Sequence, residues 1–336
     1  MLPQEFINTS ALIGRDSMLV QGAGGNTSYK SKKQMWIKAS GKWLSNSLTD
    51  DIFVEVDLAK ILENINNNIG EPLKDSYVVK NSLRPSIETT LHALMPHKVV
   101  LHSHPINLLS MLVYDDGRLK LASLLEEFNF GWVPYARPGE DLTSKVKEVI
   151  KKKNVDALLL GNHGLVVGAK NSELAFNQMN DILNCCELKP RKHYLESNNK
   201  INKLAVQLDM RIPKHSVIHS LGLDEISYSY CYNKNSVLYP DQAVFLGPKI
   251  LCANNIDELN NIKNNSDLFN NLSYIVVKNI GVLVSKNARI GIDEMLLCHA
   301  EVLRRISADE KLNYLTENEV IRLLDWEPEK YRQSIR

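Results

Sequence analysis

Two histidines one residue apart end an apolar run in the stretch VVLHSHP, residues 99–105. Side chains in a β-strand alternate between the two faces, so His102 and His104 should point to the same side and Ser103 to the other. Two imidazoles on one face can bind a single metal ion, since imidazole is a common ligand of transition metals. The spacing alone leaves a second interpretation open, in which both are ordinary histidines beside a turn.

A third histidine, His163, stands between two glycines in LLLGNHGLVV, directly after an apolar run. Glycines on both sides let the backbone bend and approach another group closely, which suits a metal ligand. The competing interpretation is a turn histidine that bonds only to backbone groups.

A carboxylate that could complete such a site occurs in RPSIETTLHALMPHK. Pro85 and Ser86 are typical of a helix start, which places Glu88 in the first turn, where the helix dipole also favours an anion for purely structural reasons. His92 follows four residues later on the same face, and we expect it to pack as a helix histidine. Three neutral imidazoles and one carboxylate suit a divalent ion that also accepts substrate oxygens. Zinc is the first expectation, and the ligand types leave Mn, Co, Ni and Fe open.

The glycine-rich stretch QGAGGNTSYK lacks the lysine of a P-loop and the GxGxxG spacing of a dinucleotide fold. It offers backbone N–H groups followed by Asn26 and Ser28, which suits an oxyanion or a sugar hydroxyl. A tight turn between a helix and a strand explains the glycines equally well. In WIKASGKWL, a second small polar turn follows a strand at Ser40 and Gly41.

The elements that must position these groups follow from the apolar periodicity. Short apolar runs alternate with helical patterns such as SIETTLHALMP and NSELAFNQMNDILNCCEL, which indicates an α/β or α+β domain. The polar segment KPRKHYLESNNKINK is typical of a solvated linker or an exposed helix. We therefore expect two domains, a catalytic domain over residues 1–200 and a smaller α/β domain over residues 201–336.

The second half contains the predicted strands SVLYP, QAVFLG, SYIVVK and IGVLVSK and an amphipathic helix over DEMLLCHAEVLRRI. Its segment YIVVKNIGVLVSKNARIGIDEMLLCHAEVL has the same strand, turn, strand and helix order as the segment around His163, which favours either a degenerate repeat or a chance similarity. Ile280 occupies the place of His163, so the second segment could not supply the same chemistry.

The bulk composition excludes several classes of protein. Of the 336 residues, 44% are hydrophobic and 24% are charged, as in soluble globular proteins. Lys plus Arg at 40 almost balances Asp plus Glu at 39, so we expect neither a nucleic-acid partner nor a membrane partner. The amino-terminal sequence lacks the features of a secretory signal, and five cysteines without CxxC spacing suit a reducing compartment. These features predict a cytoplasmic protein.

Taken together, these segments resemble the class II aldolase/adducin family over roughly residues 5–190. The resemblance rests on five motifs in the family's order and at similar intervals: GGNTS (24–28), ASG (39–41), PSIE (85–88), HSHP (102–105) and GNHG (161–164). The form RPSIETTLHALMPHKVVLHSHP is most similar to the aldolase portion of rhamnulose-phosphate aldolase/dehydrogenase proteins.

The resemblance implies an α/β/α sandwich with a largely antiparallel central sheet, assembled as a homo-tetramer with active sites between subunits. It implies that the metal ligands are His102, His104 and His163, and that Glu88 is the acid/base or a fourth ligand displaced by substrate. Tyr135, in WVPYARPGEDL, would protonate or position the substrate from a neighbouring subunit. The pocket for a phosphate or an equivalent group would be lined by Asn26, Ser40, Gly41 and Ser86, with Ser28 as a further substrate-binding candidate.

The expected function is a divalent-metal-dependent lyase that cleaves or forms a C–C bond in a ketose, a ketose phosphate or a related sugar through a metal-stabilised enediolate, with Glu88 moving the proton. Many family members with phosphorylated substrates have a second serine where this chain has Ile87, so phosphate recognition stays open. A sugar epimerase or a dehydratase would need almost the same metal site. A non-catalytic adducin-like scaffold is the alternative from another class, and it has no physical need for three converging imidazoles and a carboxylate.

Overall fold

The computed structural model describes residues 2–78, 83–192, 199–233, 237–328 and 330. The chain divides into two compact units, the first formed by Met1–Glu187 with Asp325–Ile335 and the second by Leu188–Leu324 with Arg336. Residues 193–198 of the expected linker lie outside the described residues, and an α-helix begins at Asn199. In the described part of the chain, every helix is too short or too polar to cross a membrane.

The first unit is an α/β domain built on one seven-stranded sheet. Its strands are β1 (Asn26–Ser31), β2 (Gln34–Lys38), β3 (Phe53–Asp57), β4 (Val99–Ser103), β5 (Phe130–Val133), β6 (Ala157–Leu160) and β7 (Gly164–Ala169). Its helices are α1 (Gln4–Arg15), α2 (Leu58–Asn66), α3 (Thr89–Leu94), α4 (Ile106–Leu112), α5 (Gly117–Leu124), α6 (Glu140–Lys152) and α7 (Ser172–Cys185).

The strand order is β3-β2-β1-β4-β7-β6-β5. Neighbouring strands are antiparallel except for β5 and β6, which are parallel. Apolar side chains of α2, α3 and α6 pack on one face of the sheet, whereas α7 covers the other face with α1 against it. The predicted sandwich with a largely antiparallel sheet is confirmed.

Local sequence signals explain where the long helices begin and end. The helix α6 has Glu140 and Asp141 in its first turn and Lys151 and Lys152 in its last, so charges of the favourable sign lie at both ends of the helix dipole. Asn171 caps α7 by accepting a hydrogen bond from a backbone N–H of the first turn.

The second unit has its own four-stranded sheet, in the order β8-β11-β10-β9. Its strands are β8 (Met210–Arg211), β9 (Cys252–Ala253), β10 (Tyr274–Val277) and β11 (Gly281–Ser285). Its helices are α8 (Asn199–Gln207), α9 (Ser220–Leu223), α10 (Glu225–Tyr232), α11 (Ile256–Asn264), α12 (Ser266–Asn270), α13 (Ile292–Leu303) and α14 (Glu317–Leu324). The smaller α/β domain expected after the first is therefore present.

Two predicted strands of this unit are wrong. In SVLYP, Ser236 lies outside the described residues and residues 237–240 form no strand. The segment QAVFLG forms a π-helical turn over Gln242–Leu246, and all five of its residues are buried. A short apolar run that is buried on every side has no alternation to distinguish a strand from a helix, so its period could not decide between them.

Candidate metal centre

Three histidines from two places in the sequence converge at one end of the central sheet. His102 lies on β4, His104 follows that strand, and His163 lies in the turn between β6 and β7. The three side chains can each offer one nitrogen, and these atoms lie within 4.8 Å of one another. All three residues are at most 6% exposed. The antiparallel pairing of β4 with β7 brings the two segments together.

The turn that carries His163 is shaped by its neighbours. Asn162 adopts a left-handed conformation with φ 54°, and the N–H of His163 donates to the carbonyl of Leu160 at 3.0 Å. A Cβ on Gly164 would lie 2.4 Å from the carbonyl oxygen of Ser103 and 3.0 Å from the His104 ring. Glycine at this position therefore allows the turn to approach the HSH segment.

Glu88 brings a buried carboxylate to the same place. Its Oε2 lies 3.3 Å from Nε2 of His102, and its Oε1 lies 3.4 Å from Nε2 of His163. Glu88 is the N-cap residue of α3 and not part of its first turn as expected. Pro85 bridges to Ala39 and the chain turns at Ile87 and Glu88, so the helix begins only at Thr89.

The separation of the His102 and His104 nitrogens fits two ligands of one tetrahedral ion. Two nitrogen ligands at the usual Zn–N distance should lie about 3.3 Å apart, and Nε2 of His102 lies 3.1 Å from Nε2 of His104. Nδ1 of His102 donates to the carbonyl of Leu165 at 2.9 Å, so in the neutral ring the lone pair is on Nε2, toward the cluster. A hydrogen bond of this kind fixes the tautomer of metal-binding histidines. The residues therefore fit a divalent metal.

A chain of hydrogen bonds holds the carboxylate from behind. A carboxylate only accepts, so the group that meets Glu88 Oε2 at 2.8 Å is the Nδ2 amide of Asn26. The amide oxygen of Asn26 then faces Nε2 of His92 at 2.5 Å, and that nitrogen must carry the proton. Nδ1 of His92 is left as the acceptor for the hydroxyl of Ser28 at 2.8 Å. Because the carboxylate can only accept a hydrogen bond, it fixes which group donates and which accepts in all three bonds.

The local electrostatics keep Glu88 ionised and His92 neutral. Burial alone would raise the pKa of Glu88, but the neighbouring His102 and His163 rings and the hydrogen bond from Asn26 outweigh it and hold the pKa well below its ordinary value. Burial and the neighbouring His102 hold the pKa of His92 well below its usual range, although the Glu88 carboxylate opposes this.

The remaining predicted site residues occupy three loops, after β2, before α3 and after β5. The N–H of Ser40 donates to the carbonyl of Arg84 at 2.8 Å, Gly41 has φ 77°, and the Ser86 hydroxyl accepts from the N–H of Glu88 at 3.3 Å. Tyr135 follows β5, beside the turn that carries His163, since a Cβ on Gly161 would lie 3.3 Å from the Tyr135 nitrogen. The candidate substrate residues Asn26 and Ser28 lie on β1 and engage Glu88 and His92.

One residue that supports the site was not predicted from the sequence. Lys38 is 2% exposed, and its Nζ donates to the carbonyls of Ala23 and Lys42 at 2.8 and 2.7 Å. It thereby ties the GAGG turn to the turn at Ser40 and Gly41. The sequence does contain a signal: Lys38 lies at the end of an apolar strand, directly before a small polar turn, and a charged residue is unusual at such a position.

Comparison with known proteins places these motifs in a family. The chain is 31% identical over 195 residues to an uncharacterized oxidoreductase, YuxG, of Bacillus subtilis, a match that covers 54% of this chain and 28% of that protein. It is 27% identical over 169 residues to an L-fuculose phosphate aldolase of Methanocaldococcus jannaschii, covering 46% of this chain and 78% of the relative.

Among solved structures, the N-terminal class II aldolase domain of a conserved Thermoplasma acidophilum protein is 30% identical, with a TM-score of 0.47, and the match covers 54% of this chain and 90% of that one. The family described as Class II Aldolase and Adducin N-terminal domain matches residues 4–189. Because this match spans more than half of the 336 residues, the chain belongs to the class II aldolase and adducin N-terminal domain family.

Proposed function

We propose that this chain is a divalent-metal-dependent lyase of the aldolase type, which breaks or forms a C–C bond in a ketose or a related sugar. The convergence of His102, His104 and His163 beside the Glu88 carboxylate carries the proposal. An ion held by the three histidines, with zinc as the first choice, would act as a Lewis acid toward adjacent carbonyl and hydroxyl oxygens of the sugar and stabilise the negative charge that develops on them.

Glu88 moves the proton in this proposal. Its Oε2 is held by the amide of Asn26, whereas Oε1 is buried and accepts no hydrogen bond from the residues described. Oε1 is therefore the oxygen that can take a proton from the substrate and return it. The low pKa of Glu88 keeps the carboxylate ionised at neutral pH, ready to act as a base.

Two further points support a sugar lyase. The matched relative of Methanocaldococcus jannaschii is named as an L-fuculose phosphate aldolase and is covered over 78% of its length. Tyr135, in the loop beside the His163 turn, is a second candidate for protonating or positioning the substrate, acting on the site of a neighbouring subunit.

The decisive test is the variant Glu88→Gln, compared with Glu126→Gln as a control that removes an exposed carboxylate. Loss of the proton-transfer group should lower turnover by about 10² to 10⁴-fold while the fold and most of the bound metal remain. Metal content would be measured by elemental analysis, and aldehyde release would be followed on a panel of ketoses, ketose phosphates and sugar conjugates. Full activity of Glu88→Gln on the identified substrate would contradict the assignment.

Two additional measurements separate the rival functions. His102→Ala/His104→Ala should lose the bound divalent ion, whereas a metal-free wild type prepared without chelators would favour a scaffold.

Deuterium uptake from solvent should accompany cleavage if the enzyme is a lyase. Exchange without any cleavage product would instead indicate an epimerase or a dehydratase.

A further inference from the structure

A cleft of about 680 Å³ lies in the first unit beside the segment that carries Glu88. Its volume is in the range of about 300 to 1,000 Å³ that is typical of small-molecule sites. Ser40 and Ile87 both line it. The hydroxyl oxygen of Ser40 is buried without a hydrogen-bond partner among the described residues, and Ile87 contributes an apolar side chain to the same lining.

Two aromatic side chains, Tyr77 and Trp326, also line this cleft. The Trp326 ring is fixed in place, because the guanidinium of Arg137 lies 4.8 Å from its centroid and a Cβ on Gly139 would lie only 2.3 Å from the ring. The carboxylate of the next residue, Glu327, pairs with Arg84 at 3.3 Å. Rigid aromatic surfaces of this kind offer large contact area to the apolar face of a ligand ring.

The charges around the cleft disfavour an anionic ligand. Three carboxylates, Glu71, Glu140 and Glu327, outnumber two cations, Lys74 and Arg84, among the lining residues described. Arg84 pairs with Glu327. Burial raises the pKa of Glu140, and the carboxylates of Asp141 and Glu71 add to this effect against the opposing charge of Arg137. A phosphate placed here would meet more carboxylates than cations among the lining residues, whereas sugar hydroxyls could donate to the carboxylates.

We infer that the cleft binds an uncharged saccharide unit attached to the sugar that reaches the metal centre, so that the substrate is a glycoside or an oligosaccharide and not a sugar phosphate. This inference rests on the proposed lyase function. Trp326 and Tyr77 would pack against the C–H face of the saccharide ring, while the Ser40 hydroxyl and the carboxylates would bond its hydroxyl groups.

The test is the binding of the metal-loaded, full-length protein to an array of neutral oligosaccharides and of phosphorylated sugars. Neutral oligosaccharides should bind, and Trp326→Ala should weaken this binding by about tenfold or more, whereas Trp326→Phe should stay within about threefold of wild type. Glu71→Gln removes an exposed carboxylate and should also weaken binding without disturbing any packing. Glu126→Gln, which makes the same change of charge outside the cleft, should bind like wild type.

The outcomes separate this inference from the proposed function. His102→Ala/His104→Ala should keep the neutral oligosaccharide binding, because the cleft does not need the metal. If Trp326→Ala loses this binding, the inference about the cleft therefore holds even if Glu88→Gln remains active. The inference is overturned if wild type binds no neutral oligosaccharide on the array. It is also overturned if Trp326→Ala and Glu71→Gln both bind these oligosaccharides as tightly as wild type does. Binding of phosphorylated sugars that depends on Lys74 also overturns it.

Discussion

At the scale of single residues, the direction of the Asn26 amide decides how Glu88 is held. An asparagine amide can turn over and exchange its oxygen and nitrogen, and the wrong orientation would place an oxygen against the carboxylate. His92 prevents this, because its protonated Nε2 requires an oxygen opposite it. His92 therefore acts on Glu88 through Asn26 and is a positioning residue.

The matched pair His92→Asn and His92→Gln tests this role. Asparagine can replace the Nδ1 contact with Ser28 but has no donor at the Nε2 position, whereas glutamine can place an amide donor there. We expect His92→Asn to lower kcat by about tenfold or more with little change in KM, and His92→Gln to recover most of the loss. Steady-state kinetics on the identified substrate would measure both values. Equal losses in the two variants would indicate that His92 only fills space.

The sequence could indicate the ligand types but not this supporting chain. The period of a strand predicts that His102 and His104 share a face, and the structure brings their Nε2 atoms to 3.1 Å. His92 was expected only to pack, and Asn26 only to bind substrate. Their bond joins residues 66 positions apart, and it exists because β1 pairs with β4 and α3 packs nearby, which no local pattern encodes.

At the scale of elements, the turn before β7 and the turn before β11 have the same geometry. Asn162 has φ 54° and Asn279 has φ 59°, and each N–H donates to a carbonyl of a short helix from earlier in the chain, at Leu112 of α4 and Gly222 of α9 respectively. In each turn the next residue closes back on the end of the first strand. The similarity noted in the sequence therefore extends to the backbone, although Ile280 replaces the ligand His163.

The paired turns provide a built-in control. The left-handed conformation is less favourable for alanine than for asparagine. Asn162→Ala and Asn279→Ala should therefore each lower the free energy of unfolding of the protein by about 1 kcal/mol. Asn162→Ala should also weaken metal affinity by about tenfold, because its turn positions His163. Thermal unfolding and competition with a metal chelator would measure the two effects. Weaker metal binding in Asn279→Ala as well would show that the loss is not specific to the His163 turn.

At the scale of the whole molecule, the chain segment Asp325–Ile335 belongs to the first unit although 137 residues of the second precede it. Composition and periodicity could not predict that this segment belongs to the first unit, because the residues around Trp326 show no apolar pattern that indicates which part of the chain they pack against. The segment matters for function because Trp326 and Glu327 line the proposed saccharide cleft. The predicted division into two domains therefore did not include the contribution of Trp326 and Glu327 to that cleft.

The second unit also sets a pH limit on the stability of the molecule. His299 is 1% exposed, its Nδ1 lies 3.2 Å from the hydroxyl of Tyr239, and burial lowers its pKa to about 3. The unfolded chain, with an ordinary histidine pKa of about 6.5, therefore binds more protons than the folded chain between these values. The stability from the neutral ring is fully present above pH about 6.5 and is lost as the pH falls toward 3.

His299→Asn removes the titration while keeping a polar side-chain atom near the Nδ1 position. Between pH 7.5 and pH 5, wild type should lose about 2 kcal/mol more unfolding free energy than the variant, because only wild type protonates this histidine on unfolding. Urea titrations of both proteins at the two pH values would measure the difference. Other titrating groups, including the histidines of the metal centre, are common to both proteins and cancel in the comparison. Parallel losses in the two proteins would mean that His299 is not the group that limits stability in acid.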